Sequence, residues 1–338
     1  MTMKKIVLIA HDPGGLDAIF PLYSKLSSNQ GLTAIFFCIG PSAAIEPQFA
    51  ASSELALSFI RRNVKQIALL VTGTSWGDRT EVQAIELCKK AGVRTMSILD
   101  YWSNYSSRFY SETSNEFHYP DFYVVMDRLA EQEAKADGVP KEIIHPLGHP
   151  GLDKYVQARQ EMKPKHVISK RALLLSQPIS KLYGNAFGYT EYSVIEDVLH
   201  LFDYKDWTLK IKFHPKDDLA LIDKYGERAV SGSLLDILPN FDVVIGMNTI
   251  ALLHAIILGI PVISYQPSLA RDKDICITNK LGLTEPVVTL NQLKQKLCKL
   301  NNGVRINAKP VNNFLWSDGT STERICNFIL EVTNSYVD

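Results

Sequence analysis

Cysteine is scarce in this 338-residue chain: Cys38, Cys88, Cys276, Cys298 and Cys326 are odd in number and widely spaced, and no CxxC pair occurs. That excludes a cysteine zinc site or a redox pair and points to reduced thiols in a cytosolic setting, with Cys38 in a core strand. Net charge is also lacking, since 36 basic residues cancel 36 acidic ones. A neutral chain has no global field to hold DNA or RNA, so no nucleic-acid partner is expected. Long apolar runs are missing as well. The longest, residues 250–263, is broken by His254, Gly259 and Pro261, too short and too punctuated to span a bilayer. The first apolar run, 6–10, follows Lys4-Lys5 and has no small-residue cleavage site, so it reads as a buried strand and not a signal peptide. No GxGxxG and no GxxxxGK[ST] fingerprint is present, and no DxD pair stands at a strand end.

What is present is a regular alternation. Apolar runs at 6–10, 33–40, 67–73, 93–100, 121–127 and 142–150 read as strands, with helices from about Leu16, over Glu81–Lys90 and after Asp127. The stretch 157–170 is polar, contains Pro164 and reads as a linker. The pattern then restarts, with strands at 172–178, 208–215, 241–248 and 261–265 and helices at 189–202, 249–258 and 323–336. Near-continuous apolar strands alternating with helices make parallel sheets covered on both faces. The expected fold class is therefore α/β, with two Rossmann-like domains whose parallel sheets face a central cleft. The expected divisions are 1–160, 165–320 and a C-terminal helix 321–338 that packs back on the first domain. Each half is about the size of one domain.

In such sheets, ligands bind outside the carboxyl ends of the strands. Those ends carry four candidate constellations. His11-Asp12-Pro13-Gly14-Gly15 follows a strand and opens a helix, where two glycines permit close backbone approach and the helix N-terminus favours negative charge; the alternative is a tight turn with Asp12 as a cap. Phe213-His214-Pro215-Lys216-Asp217 places a histidine just past a strand, with Lys212 and Lys216 beside it, where it can donate to a phosphate oxygen. Gly246-Met247-Asn248-Thr249 ends a strand and starts a helix, a phosphate cradle or a plain N-cap. Ser176-Gln177-Pro178 closes the first strand of the second half and offers polar groups to a base or ribose. His254, mid-helix among aliphatics, reads as a packed core histidine.

In that order these motifs resemble the nucleotide-binding half of bacterial GT-B glycosyltransferases, most of all the group using CMP-activated sialic acid, the lipooligosaccharide and capsule sialyltransferases. The resemblance implies that His214 contacts the donor phosphate and assists the leaving group, and that Asn248 and Thr249 bind the same phosphate. The element Gly148-His149-Pro150-Gly151-Leu152-Asp153-Lys154-Tyr155 is similar to one in UDP-N-acetylglucosamine 2-epimerases and teichoic-acid glycerophosphotransferases. The chain departs from the epimerase pattern where residues 247–255 replace acidic residues. It also lacks the acidic-acidic-glycine motif of the sialyltransferases, whose nearest equivalent is Leu99-Asp100-Tyr101-Trp102.

The expected activity is inverting transfer of a sugar from a nucleotide-activated donor, CMP favoured and UDP next, to a cell-surface glycan or lipid-linked acceptor. Asp100 is the first candidate base, Asp12 the second and Asp78 the third; a carboxylate raised by partial burial would serve. Trp76, Tyr101 and Trp102 offer rings to a sugar, with His11, Gly14, Gly15, Thr74 and Asp78 around them. No metal and no cofactor is expected, the nucleotide sugar being substrate, because histidine and helix terminus already neutralise the phosphate. The expected location is the cytoplasm, with peripheral contact at the inner membrane left open. The alternatives are a nucleotide-sugar epimerase or hydrolase of the same fold and a non-catalytic nucleotide-sugar-binding subunit.

Overall fold

Apolar runs that cannot face water on either side become parallel strands, and the amphipathic segments between them become the covering helices. The computed structural model describes residues 4–29, 31–162, 169–202, 207–304, 306, 311 and 313–334. The chain begins with β1 (Lys4–Ala10), α1 (Pro13–Leu26), β2 (Leu32–Cys38), α2 (Pro41–Ile45), α3 (Ser53–Asn63), β3 (Ile67–Thr72), α4 (Thr80–Lys90) and β4 (Arg94–Ile98). A small antiparallel hairpin follows, β5 (Tyr110–Ser111) and β6 (Glu116–Phe117), then β7 (Phe122–Val125), α5 (Arg128–Ala136), β8 (Ile144–Pro146) and α6 (Pro150–Glu161). The order continues through β9 (Arg171–Leu175), α7 (Ile179–Tyr183), α8 (Glu191–Phe202), β10 (Thr208–Lys212), α9 (Leu219–Tyr225), α10 (Leu234–Ile237), β11 (Val243–Gly246) and α11 (Ala251–Ile257). It closes with β12 (Val262–Tyr265), α12 (Ile277–Lys280), β13 (Pro286–Val287), α13 (Leu290–Asn301) and α14 (Ser321–Asn334).

Two compact units result. Unit 1 comprises Met1–Lys154 and Phe314–Asp338, and unit 2 comprises Tyr155–Asn313. The chain leaves unit 1 within α6, so residues 157–161 of the stretch read as a linker are helix; residues 163–168, Pro164 among them, lie outside the described residues. It returns to unit 1 at Phe314, earlier than the expected 321, because the Trp316 ring is fully buried there and its Nε1 donates to Asp127 Oδ2 at 2.9 Å. Helix α14 then lays Ile325, Ile329 and Val332 into the core that holds Leu22 and Leu26 of α1. Residues 335 and 336, the end of the expected last helix, lie outside the described residues.

The strand order is β2-β1-β3-β4-β7-β8 in unit 1 and β10-β9-β11-β12-β13 in unit 2, and the pairings in both sheets are parallel. Both orders follow the doubly wound 2-1-3-4-5 pattern, with a sixth strand added in unit 1. The connection reverses between the first and third strands, which opens a crevice at their carboxyl ends. That point lies between the β1 and β3 loops in unit 1 and between the β9 and β11 loops in unit 2.

Candidate functional site

At the unit 1 switch point, α1 starts at Pro13, three residues before the position expected from hydrophobic periodicity. Proline is at home in a first turn, where its missing N–H leaves no bond unmade. Gly14 and Gly15 are therefore helical. A Cβ on Gly14 would overlap the Asp100 carboxylate, and a Cβ on Gly73 would stand 3.2 Å from Gly15 Cα. The two glycines admit the protein's own Asp100 and the β3 loop. Asp12 precedes the helix, yet its side chain makes no cap bond. Its Oδ1 lies 2.9 Å from His11 Nδ1, and its Oδ2 accepts from the Trp76 N–H at 3.0 Å.

Asp100 stands two residues past the end of β4, 15% exposed, and its Oδ1 accepts from Arg108 Nη1 at 2.8 Å and Thr74 Oγ1 at 3.3 Å. Arg108 is buried, and the same nitrogen also donates to the Thr74 carbonyl and to Thr74 Oγ1. The first candidate base is thus half of an ion pair with a buried arginine. Asp78 Oδ1 accepts from the Thr80 N–H at 2.8 Å, and its Oδ2 stands 3.6 Å from His11 Nε2. Of the expected sugar platform, Trp76 is 57% exposed and Tyr101 partly buried. Trp102 is a correction: its ring is 2% exposed and its Nε1 donates to Asp127 Oδ1 and Oδ2 at 3.2 and 3.1 Å, so it belongs to the core and offers no face to a sugar.

Sequence reasoning missed a buried carboxylate beside the unit 1 crevice whose pKa is moved. Glu81, buried in the first turn of α4, accepts from the Ser75 N–H at 2.7 Å through Oε2, while buried Oε1 has no partner. Burial pushes it from 4.5 up to about 7, the nearby charges of Asp12 and Asp100 adding to the rise and the Ser75 bonds opposing it. A signal was present. Residue 81 shares one helix face with Ala84, Ile85 and Cys88, a spacing that places an acid on an apolar stripe.

The Gly148–Tyr155 element is a junction. Asp153 accepts from the N–H groups of Ser321 and Thr322 at 3.1 and 2.7 Å, capping α14 from outside, and Lys154 pairs with Asp17. His149 is buried, which holds its pKa below the ordinary histidine value.

At the unit 2 switch point, Gln177 and Asn248 clasp each other. Gln177 Nε2 donates to Asn248 Oδ1 at 2.8 Å and its Oε1 accepts from the Asn248 N–H at 2.9 Å. The bond of Asn248 Nδ2 to Tyr189 OH is 3.5 Å, and that hydroxyl donates to Gln266 Oε1 at 2.9 Å. Gln266 Nε2 continues to Ser264 Oγ and Asp274 Oδ1. Tyr189, Gln266 and Asp274 carried no sequence signal, because the ladder joins loops far apart in the chain. The helix expected from Thr249 starts two residues later. Helix α11 begins at Ala251, and Thr249 Oγ1 accepts that residue's N–H at 3.2 Å, as a capping hydroxyl does. Gly246 is required by packing, since a Cβ there would stand 2.9 Å from Leu252 Cδ2. His254 is a core residue as read, stacked on Tyr155 with centroids 4.2 Å apart.

His214 stands past the end of β10, its main-chain N–H donating to Asp217 Oδ2 at 2.8 Å. The Lys216 N–H donates to His214 Nδ1 at 3.0 Å. A nitrogen that accepts carries no proton, so the neutral ring has its hydrogen on Nε2. Burial lowers the His214 pKa from 6.5, which keeps the ring neutral near pH 7. Lys216 is exposed, whereas Lys212 is turned away to the Gly232 carbonyl at 2.8 Å. Ser176 and Pro178 are buried, and Pro215 is exposed.

No family model matches the chain, and no curated protein matches it. Solved structures do. A UDP-GlcNAc 2-epimerase from Methanocaldococcus jannaschii is 13% identical with a TM-score of 0.66, over 97% of this chain and 99% of that one. The UDP-GlcNAc 2-epimerase from Neisseria meningitidis, bound to UDP-GlcNAc, is 10% identical with a TM-score of 0.67, over 97% and 100%. The wall teichoic acid polymerase TagF is 13% identical with a TM-score of 0.60, over 99% and 90%. At such identities the likeness shows the fold, that of GT-B proteins with two Rossmann-like units. These neighbours agree with the expected similarity to UDP-N-acetylglucosamine 2-epimerases and teichoic-acid enzymes, and they do not show one to the CMP-sialic-acid group. Among the described residues no helix is long and apolar enough to cross a membrane.

Proposed function

We propose that the protein is an enzyme acting on a nucleotide-activated sugar, and that it transfers the sugar to a hydroxyl of a cell-envelope glycan or lipid-linked acceptor at the cytoplasmic face of the membrane. The observation that carries this reading is His214. Its ring is held neutral, its Nδ1 is fixed by the Lys216 N–H, and Nε2–H is left as a donor at a strand end, where a departing phosphate gains most from a preset hydrogen bond. The Gln177–Asn248 clasp holds the adjoining β9 and β11 loops in register. The motif order favours CMP as the nucleotide, and the UDP-GlcNAc bound by the Neisseria neighbour makes UDP the other candidate. No metal or cofactor enters this reading.

A second reading has its own support. Several neighbours of the same fold are UDP-GlcNAc 2-epimerases, so an epimerase or hydrolase is the alternative. Nucleotide release from CMP-N-acetylneuraminate and UDP-N-acetylglucosamine, with and without lipooligosaccharide, separates the two. Transfer predicts release that depends on the acceptor. Release without acceptor, or epimerised donor, overturns transfer in favour of the second reading, and bound nucleotide with no turnover indicates a binding subunit.

A further inference from the structure

A side chain just past a strand end is only as fixed as the main chain that carries it. At His214 that main chain is held by Asp217. The His214 N–H donates to Asp217 Oδ2 at 2.8 Å, and the Asp217 N–H returns to the His214 carbonyl at 2.9 Å. Between them, the Lys216 N–H donates to His214 Nδ1 at 3.0 Å. Three bonds thus close residues 214–217 into one turn with the ring oriented inside it. On the approach to that turn, the Ser176 N–H donates to the Lys212 carbonyl at 3.0 Å, tying the end of β10 to the β9 loop.

Holding a turn needs only an acceptor, and a carboxylate is a costly one here, since Asp217 is 7% exposed. Its Oδ1 is buried with no hydrogen-bond partner of good geometry. What the residue adds beyond an acceptor is charge. Burial lowers the His214 pKa; the Asp217 carboxylate opposes that and the Lys216 charge adds to it. Lys212 is turned away to the Gly232 carbonyl. Burial also raises the Asp217 pKa; the His214 N–H, the Ser176 hydroxyl and the His214 ring oppose the rise, and Glu191, buried in the first turn of α8, adds to it. Each of the two groups therefore favours the charged form of the other. A second proton on the His214 ring would have to go to Nδ1 and would break the Lys216 bond, so the turn and the charge act on the same nitrogen.

We propose that Asp217 is the positioning residue of His214, holding the main chain that carries the ring and setting, through its charge, how readily that ring becomes imidazolium. The proposal rests on the reading of His214 as hydrogen-bond donor to a nucleotide phosphate, and it names the group that keeps the donor in place. Asp217 acts through His214 and makes no contact with the nucleotide. Asparagine at 217 keeps an oxygen to accept the His214 N–H and removes the charge, whereas alanine removes both.

Two measurements on the full chain test this. Long-range proton–nitrogen NMR reads the tautomer and the titration of His214 without any ligand. The expected wild-type ring carries its proton on Nε2 at neutral pH. Asp217→Asn keeps that tautomer but takes up its second proton at a lower pH than wild type, a shift that a purely structural turn residue would not produce. Asp217→Ala loses the tautomer preference. An unshifted titration in Asp217→Asn, or a wild-type tautomer in Asp217→Ala, overturns the proposal. In calorimetry with CMP, Asp217→Ala is expected to bind about tenfold more weakly, the scale of one lost hydrogen bond, and Asp217→Asn no more weakly than wild type. Equal CMP affinity in wild type and Asp217→Ala also overturns it. Wild-type protein that binds neither CMP nor UDP overturns the phosphate reading of His214 instead, and the NMR comparison then decides the role of Asp217 on its own.

Discussion

Replacing Glu81 by glutamine substitutes a permanently neutral group of the same shape for a carboxyl that burial has moved from 4.5 up to about 7. The sign follows from proton counting. Between those two values the folded chain keeps a proton on Glu81 that the unfolded chain has lost, so stability falls as pH rises through the window. The interval corresponds to about 3 kcal/mol at roughly 1.4 kcal/mol per pH unit. This contribution is fully present below 4.5 and gone above about 7. The substituted amide would keep an acceptor for the Ser75 N–H while placing no charge against Gly73 and no repulsion near Asp12 and Asp100. Urea unfolding of the wild-type chain and Glu81→Gln, compared at about pH 5 and about pH 8, isolates the effect, since other titrating groups cancel in the difference. The expected outcome is near-equal stability at the lower pH and a variant more stable by about 2–3 kcal/mol at the higher, on the same linkage arithmetic. A difference that does not change with pH would refute the assignment of a neutral, buried Glu81.

Asp127→Ala leaves the indole N–H groups of Trp102 and Trp316 and the Ala130 N–H without their acceptor. The expected cost is on the order of 3 kcal/mol, read from denaturant midpoints. Gly14→Ala sets a methyl against Asp100 and is expected to destabilise unit 1 by about 1–3 kcal/mol while nucleotide affinity in unit 2 is unchanged. Gln177→Ala unclasps Asn248 and is expected to weaken nucleotide binding by roughly tenfold in calorimetry, the effect of about one lost hydrogen bond. Because burial lowers the His214 pKa from 6.5, the unfolded chain takes up a proton there before the folded one does. Its contribution to stability is present above 6.5 and is lost as pH falls through the lowered folded value, a loss that His214→Asn should abolish in acid-unfolding curves.

The strands were legible because a strand covered on both faces has no polar positions, so Ile6–Ala10 in the first half and Ala172–Leu175 in the second stand out as apolar runs. The β5–β6 hairpin was not legible, since two-residue strands have no periodicity to read. Nor was the start of α1, where glycines that signal a loop are needed for Asp100 and the β3 loop to approach. In the candidate site, residue types at strand ends name the loops but not the bonds their side chains make. Asp100 could not be known to pair with Arg108, eight residues away across a 3-10 turn, nor Trp102 with Asp127, because such bonds are set by how loops pack and not by local pattern. Asp12 illustrates the same point at closer range. A residue placed to cap α1 instead holds His11, and only the geometry distinguishes the two.

Central to the proposed function is a nucleotide phosphate held in unit 2 by neutral His214. Calorimetric titration of the full chain with CMP and UDP, alongside His214→Ala, tests it most directly. The predicted result is saturable binding of one of them by the wild-type chain, weakened about 10–100-fold in the variant, the scale of a lost hydrogen bond to a charged phosphate. Binding of neither nucleotide, or equal affinity in both proteins, would contradict it.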